Sequence, residues 1–523
     1  MEVALRRGDL TTRSADAVAL GILEGTKRLT GAAQAVDQAS RKAVSRLLET
    51  GDFRGHADEV AVLYPPVGKA KRLILVGLGP LEALDPRRVR TAAAQGASRA
   101  REMRIATLAT VVYGAGAGGL DPAVAAQASA EGAVLGHWRH TAYRTPPTSP
   151  ALKRIDLIEG DAARARSLAA PVALGAVWGE ATCVARDLAA TPGQDLTPED
   201  LGRRAKEIGR ATGAQVRVLG VPELERLGMN GLLAVGRGSP HAPRLIVMER
   251  GPGAHGAGAK PVVVIGKGVT FDTGGISIKP RENMHKMKYD MSGSAAVLGL
   301  FHALGTLDLP FPVVGIVPTA ENMPDGRAFK PGDVLRMMDG TTVEVTNTDA
   351  EGRLLLGDAL SYAKRHYTPQ AVVDLATLTG AISIALGPLA AGVFSDDDAL
   401  ADALLAAGET SGERLWRMPV WDEYLGFMRS DTADLVNSGP REGGSCLAAA
   451  FLKHFARGMP WAHLDIAGTA WSQAPRGVHA AGVTGFGVRL LLEWLRARAQ
   501  QAGGGGQAPA GRKRTRAGSR RGG

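Results

Sequence analysis

Short unbroken apolar runs alternate with stretches of helical spacing along most of the chain. "KRLILVGLG" (71–79) has the pattern of a strand covered on both faces, and "DPRRVRTAAAQGASRAREMR" (85–104) that of a helix with Pro86 near its start. "IATLATVVYG" and "DPAVAAQASAEGAVLGHWRH" repeat the pair. Strand and helix in alternation predict a small α/β domain over residues 1–165. An Ala-rich segment, 166–190, reads as a linking helix that Pro192 and Gly193 stop, with Thr197 placed to cap the next one. From there "AQVRVLG", "PRLIVMER", "PVVVIGKG", "FPVVGIVPTA", "AVVDLATL" and "AHLDIAG" are candidate strands of a larger α/β domain, 191–500. Several are apolar throughout, as strands of a mostly parallel central sheet are. Residues 501–523 are too poor in apolar side chains to pack and are expected to be a disordered basic tail.

Composition narrows this picture. The 523 residues are 45% apolar and 22% charged, ordinary for a globular chain, and leave room for two or three domains. Two cysteines, Cys183 and Cys446, exclude a disulfide framework and a Cys-based zinc ribbon; they suit a reducing compartment, so the expected location is cytoplasmic. "MEVALRRGDL" has no apolar core of signal-peptide length. The uncharged run "LATLTGAISIALGPLAAGVF" (375–394) has the length of a membrane span, but Gly380, Gly387, Pro388 and Gly392 break it, so it is expected to be buried strand and loop. The net charge of +10 is misleading as a pointer to nucleic acid, because six of those charges lie in "GRKRTRAGSRRGG" at the end of the chain. The tail alone keeps a nucleic-acid-binding regulator in view as the alternative function, with about six phosphates within its capacity.

The chemistry concentrates in two stretches. "NTDAEGRL" (347–354) lies between the alternating "TTVEVTN" and the helically spaced "RLLLGDALSYAKRH". If its backbone stays extended, Asp349, Glu351 and Arg353 project to one side. "GKGVTFDTGGISIKPRENMHKMKYDMSG" (266–293) follows a candidate strand directly and holds Lys267, Asp272, Lys279 and Asp290 among glycines. Ligands of open α/β sheets sit beyond strand carboxyl ends, where Lys267 would fall. A phosphate-binding P-loop is excluded, since Pro261 stands where its first Gly belongs and Lys267 is followed by Gly.

Together the two stretches resemble the leucyl (cytosol) aminopeptidase family, the dinuclear metal exopeptidases, whose signature octapeptide stands intact at 347–354. The likeness continues through "ENMPDGRAFKPGDVLRMMDG", "LATLTGA", "GERLWRMPVWDEY", "WAHLDIAGTAW" and "GVTGFGVRLL", and covers most of 185–495. It departs at "AATPGQ" (189–194) and in the long glycine-rich loop 249–261, and over the N-terminal domain it is a likeness of layout only. The resemblance implies that Lys267, Asp272, Asp290, Asp349 and Glu351 bind two divalent ions, Mn²⁺ or Zn²⁺, with Asp272 and Glu351 bridging. It assigns catalysis to Lys279 and Arg353, with bicarbonate held at Arg353, and a substrate pocket to Met287, Thr377, Leu378, Gly380, Ala480 and Val483. It also implies a homohexamer that hydrolyses peptides with a free N-terminus, preferring Leu- or Met-like first residues. Elementary chemistry agrees on the ions: four carboxylates call for about two dications, held roughly 3.5–4 Å apart in two-metal hydrolases. The absence of H-E-x-x-H disfavours a one-zinc protease. Lys267 can ligate only as the neutral amine.

Overall fold

The computed structural model describes residues 1–145, 152–253 and 260–503. Residues 501–503, expected to begin the disordered tail, instead complete helix Val488–Gly503; the rest of the tail, 504–523, and 254–259 of the glycine-rich loop lie outside the described residues. The N-terminal part is a six-stranded sheet of β1 (Glu2–Arg7), β2 (Ala17–Leu23), β3 (Val60–Leu63), β4 (Leu73–Gly79), β5 (Thr107–Thr110) and β6 (Arg154–Glu159). Its order is β1-β6-β5-β2-β4-β3, parallel except for β3 against β4. Every residue of β4 is buried, as its apolar run requires. Helix Pro86–Glu102 begins where expected: Asp85 caps it by accepting from Arg88 N, and Pro86 fills the first turn.

Helix Ala162–Ala190 is longer than the expected linking segment. It packs on helix Pro122–His137 and β1 on one side and on helix Ser292–Ala303 on the other, so it joins the two parts of the molecule. The approach is close because small residues line it. A Cβ at Gly175 would sit 2.2 Å from Gln127 O, and one at Gly179 would sit 2.8 Å from Val134 Cβ. This is the one described helix long and apolar enough to cross a membrane, and half of its most apolar window is buried inside the protein.

The second part is built on β7 (Gln215–Leu219), β8 (Arg244–Arg250), β9 (Val262–Gly266), β10 (Gly268–Asp272) and β11 (Val313–Asn322). A short antiparallel pair, β12 (Val334–Arg336) and β13 (Thr342–Glu344), comes next. The large sheet continues with β14 (Ala371–Ala376), β15 (Ala391–Phe394) and β16 (Leu415–Met418); β17 (Leu435–Val436) pairs with β13. β18 (Trp461–Asp465) enters the large sheet, and β19 (Trp471–Ser472) and β20 (Gly482–Val483) form a small antiparallel pair. The nine-stranded sheet runs β16-β15-β18-β14-β9-β11-β8-β7, with β10 beside the far half of β11. Its centre, β18-β14-β9-β11, is parallel. All six candidate strands picked out from 191 onward lie in it, and residues 375–394 form strand, loop and short helix with no continuous span.

This topology positions the chemistry. β9 runs into Lys267, β10 ends on Asp272, β14 runs into Thr377 and β18 ends on Asp465. Four carboxyl ends therefore meet at one edge of the sheet. Helix Ser292–Ala303 can approach that edge because Gly266 and Gly293 face each other: a Cβ on Gly266 would fall 2.4 Å from Gly293 O.

Candidate metal centre

The octapeptide does not stay extended. Thr348 and Asp349 form a turn, Glu351 has α-helical backbone angles, and helix Gly352–His366 starts immediately after it. The cause lies about 90 residues away, in the fully buried Asn437. Its carbonyl oxygen Oδ1 accepts from Thr346 N at 2.8 Å, and its Nδ2 donates to Asn347 O at 2.7 Å and Ala350 O at 3.3 Å. One side chain thus satisfies the polar backbone of a bend that would otherwise be buried without partners. The bend still delivers Asp349 and Glu351 to one cluster, and Arg353 donates from Nη1 to Asn437 O at 2.8 Å.

Lys267, Asp272, Lys279, Asp290, Asp349 and Glu351 converge. Lys267 Nζ lies 2.8 Å from Asp290 Oδ2, 2.7 Å from Glu351 Oε1 and 3.1 Å from Thr377 O. Lys279 Nζ lies 2.8 Å from Asp272 Oδ2 and also meets Asp349 Oδ1. Asp272 Oδ1 is held by Asn322 Nδ2 at 2.8 Å and Gly274 N at 2.9 Å, and Asp290 Oδ1 by the Thr377 hydroxyl at 2.6 Å. Burial works against the charge on Lys267, but Asp290, Glu351 and Asp272 outweigh it and hold the ammonium above its usual pKa. Lys279 is raised in the same way, chiefly by Asp272 once burial is overcome. Burial pushes Asp349 up to about 6, with Asp272 adding to it; burial likewise raises Asp290, where Glu351 and Asp272 crowd it against the opposing pull of Lys267. Carboxylates forced together in this way are short of positive charge.

The cluster fits divalent cations. Asp272, Asp290 and Glu351 each present an oxygen within 4.8 Å of the others, and all three residues are buried. Asp290 Oδ2, Glu351 Oε1 and Asp349 Oδ1 are buried with no hydrogen bond of acceptable geometry, although a lysine nitrogen stands close to each. Lone pairs left undirected at hydrogens, on a set of carboxylate oxygens with one amine, suit Mn²⁺ or Zn²⁺.

Two residues to which the sequence pattern assigns no role organise the surroundings. Asp465, fully buried, accepts from the Thr379 hydroxyl at 2.6 Å, from Leu378 N at 3.2 Å and from Ala467 N at 3.2 Å. It anchors the loop whose Thr377 touches both Lys267 and Asp290. Asn322, also fully buried, orients Asp272. Both lie inside recognisable motifs, "HLDIAG" and "ENMPDG", but neither motif indicates which neighbour its residue holds. Arg353 is buried; burial draws its pKa down to about 10, opposed by Glu351 and Asp465, so it remains a guanidinium cation.

A cavity of about 770 Å³ opens over the cluster. Met287, Thr377, Leu378 and Gly380 line it, as do Lys279 and Arg353. Ala480 and Val483 do not: Val483 is buried and Ala480 packs against the same core, while Trp471, the strand partner of Val483, forms wall instead.

The two-domain α/β architecture thus sets a carboxylate–lysine cluster suited to divalent ions at the carboxyl edge of a mostly parallel sheet. Residues 183–492 match the catalytic-domain model of the cytosol aminopeptidase family, and 19–147 match its N-terminal-domain model. The chain belongs to that family of hydrolases. It is 43% identical to a probable cytosol aminopeptidase of Roseiflexus castenholzii, covering 95% of this chain and 99% of that one, and 46% identical to one of Geobacter sp. strain M21, covering 88% and 93%. Among solved structures it is similar to the bottromycin maturation enzyme BotP in complex with Mn, with TM-score 0.82, 40% identity and coverage of 93% and 100%. It is also similar to a mutant of tomato leucine aminopeptidase, with TM-score 0.84, 31% identity and coverage of 95% and 96%.

Proposed function

We propose that this cytosol aminopeptidase is a cytoplasmic homohexamer that uses two divalent ions to release Leu- or Met-like residues from the free N-terminus of peptides. The observation that carries the reading is the convergence of four carboxylates and two lysines, with three buried carboxylate oxygens that contact a lysine nitrogen but make no well-directed hydrogen bond. Lys267, Asp272, Asp290, Asp349 and Glu351 would hold the ions. Bound there, such ions supply Lewis acidity and a water acidic enough to be a nucleophile near neutral pH.

The chain's own residues divide the remaining work. Lys279 is the more accessible lysine, with 21% of its side chain exposed against 4% for Lys267, so its ammonium can reach a substrate carbonyl and stabilise the oxyanion that develops there. Arg353, fixed by Asn437 O and lining the cavity, offers a permanent cation for a small anion such as bicarbonate, which would take the proton released from water. Met287, Leu378 and Gly380 supply an apolar wall for the first side chain. The test compares leucyl peptides with free and N-acetylated amines. Cleavage of the free peptides alone is expected, and equal rates on both would replace the aminopeptidase reading with that of an endopeptidase.

A further inference from the structure

The cavity contains a cation that the proposed chemistry does not use. Lys286 Nζ lies 4.1 Å from the centroid of the Trp471 ring. Among the described residues its ammonium has no carboxylate partner and its side chain makes no hydrogen bond. Both residues are half-buried and both line the cavity. The ring is itself fixed: Trp471 is paired with the buried Val483 across the β19–β20 ladder, and Tyr289 lies against it with centroids 6.4 Å apart. An aromatic face holds an ammonium in place without cancelling its charge. Lys286 therefore presents a positioned, uncompensated positive charge to whatever occupies the cavity. Arg441, exposed on the same lining and likewise without an ion pair among the described residues, adds to it. The acidic lining residue outside the carboxylate cluster is Glu282, which is exposed.

We propose that Lys286, carried on Trp471, is a specificity-determining residue that recognises a carboxylate on the bound peptide. Its ligand is either the C-terminal carboxylate of a dipeptide or an acidic side chain near the cleaved bond. The proposal rests on the peptidase reading. A cavity of about 770 Å³ holds more than the single residue that an aminopeptidase releases, so part of its wall must face the second and later residues of the peptide.

The test uses pairs of substrates that differ by one charge: Leu-Ala against Leu-Ala-amide for the terminal carboxylate, and Leu-Asp-amide against Leu-Asn-amide for the side chain. The quantity read is the ratio of kcat/KM within each pair. The full chain should favour the charged member of at least one pair, and the pair that shows the preference identifies the source of the carboxylate. Lys286→Gln should cut that ratio by about three- to tenfold, as for a half-exposed charged contact. Lys286→Arg, which keeps a cation over the ring, should retain it. An unchanged ratio in Lys286→Gln overturns the proposal, and so does an equal fall in both variants, which would assign the effect to packing on Trp471. Failure to hydrolyse any of the four peptides would instead remove the peptidase reading, and this proposal with it.

Discussion

The Thr377 hydroxyl donates to Asp290 Oδ1 at 2.6 Å while the Thr377 carbonyl accepts from Lys267 Nζ at 3.1 Å. One residue of a loop at the end of β14 thus touches two members of the cluster, and the loop is in turn anchored by Asp465. Ligand-orienting groups of this kind typically change metal affinity by about 10–100-fold. Asp465→Ala should weaken Mn²⁺ binding within that range. Asp465→Asn, which keeps the oxygen that accepts from Leu378 N and Ala467 N, should lose less. Calorimetric titration of the chelated protein measures this, and equal affinities in all three proteins would show that the loop does not depend on its anchor.

Gly352 provides a separate test at the backbone. A Cβ there would sit 2.8 Å from both Lys267 Nζ and Cε. Gly352 is the first residue of its helix, and alanine is the better helix former, so Gly352→Ala should not act through helix propensity. It should instead displace Lys267 from Asp290 and Glu351, lowering metal affinity and activity together. Full metal affinity in Gly352→Ala would mean that Lys267 does not need the path it takes here.

The two lysines should separate. Lys267→Ala should lower metal occupancy, with partial rescue of activity by excess metal. Lys279→Ala should keep two ions per chain and lose kcat by about 10²–10³-fold, the usual effect of removing one oxyanion donor. Lys279→Arg should not restore it, because a planar fork does not replace a compact ammonium. Elemental analysis beside kcat decides, and the opposite pattern would exchange the two roles.

Much of this was legible in the sequence because it depends on local pattern. Most strands from "PRLIVMER" to "AHLDIAG" are apolar runs suited to a doubly covered sheet, and parallel topology then places Lys267, Asp272 and Asp465 at one edge. What was not legible depends on partners distant in sequence. Asn437 bends the octapeptide that alternation suggested would be extended, and nothing within 347–354 reveals it. Val483 was expected in the pocket, but it is buried in the core, and Trp471, its strand partner, lines the cavity. Lys286, one cation in a stretch rich in lysine, acquires meaning only from a tryptophan 185 positions later.

The central claim is that the carboxylate–lysine cluster works by holding divalent ions. It is tested most directly by hydrolysis of Leu-p-nitroanilide before and after chelation, with metal content determined on the same samples. The expected result is two ions per chain in the active protein, no activity in the chelated protein, and activity restored by Mn²⁺ or Zn²⁺. Full activity in a sample shown to be metal-free would contradict it.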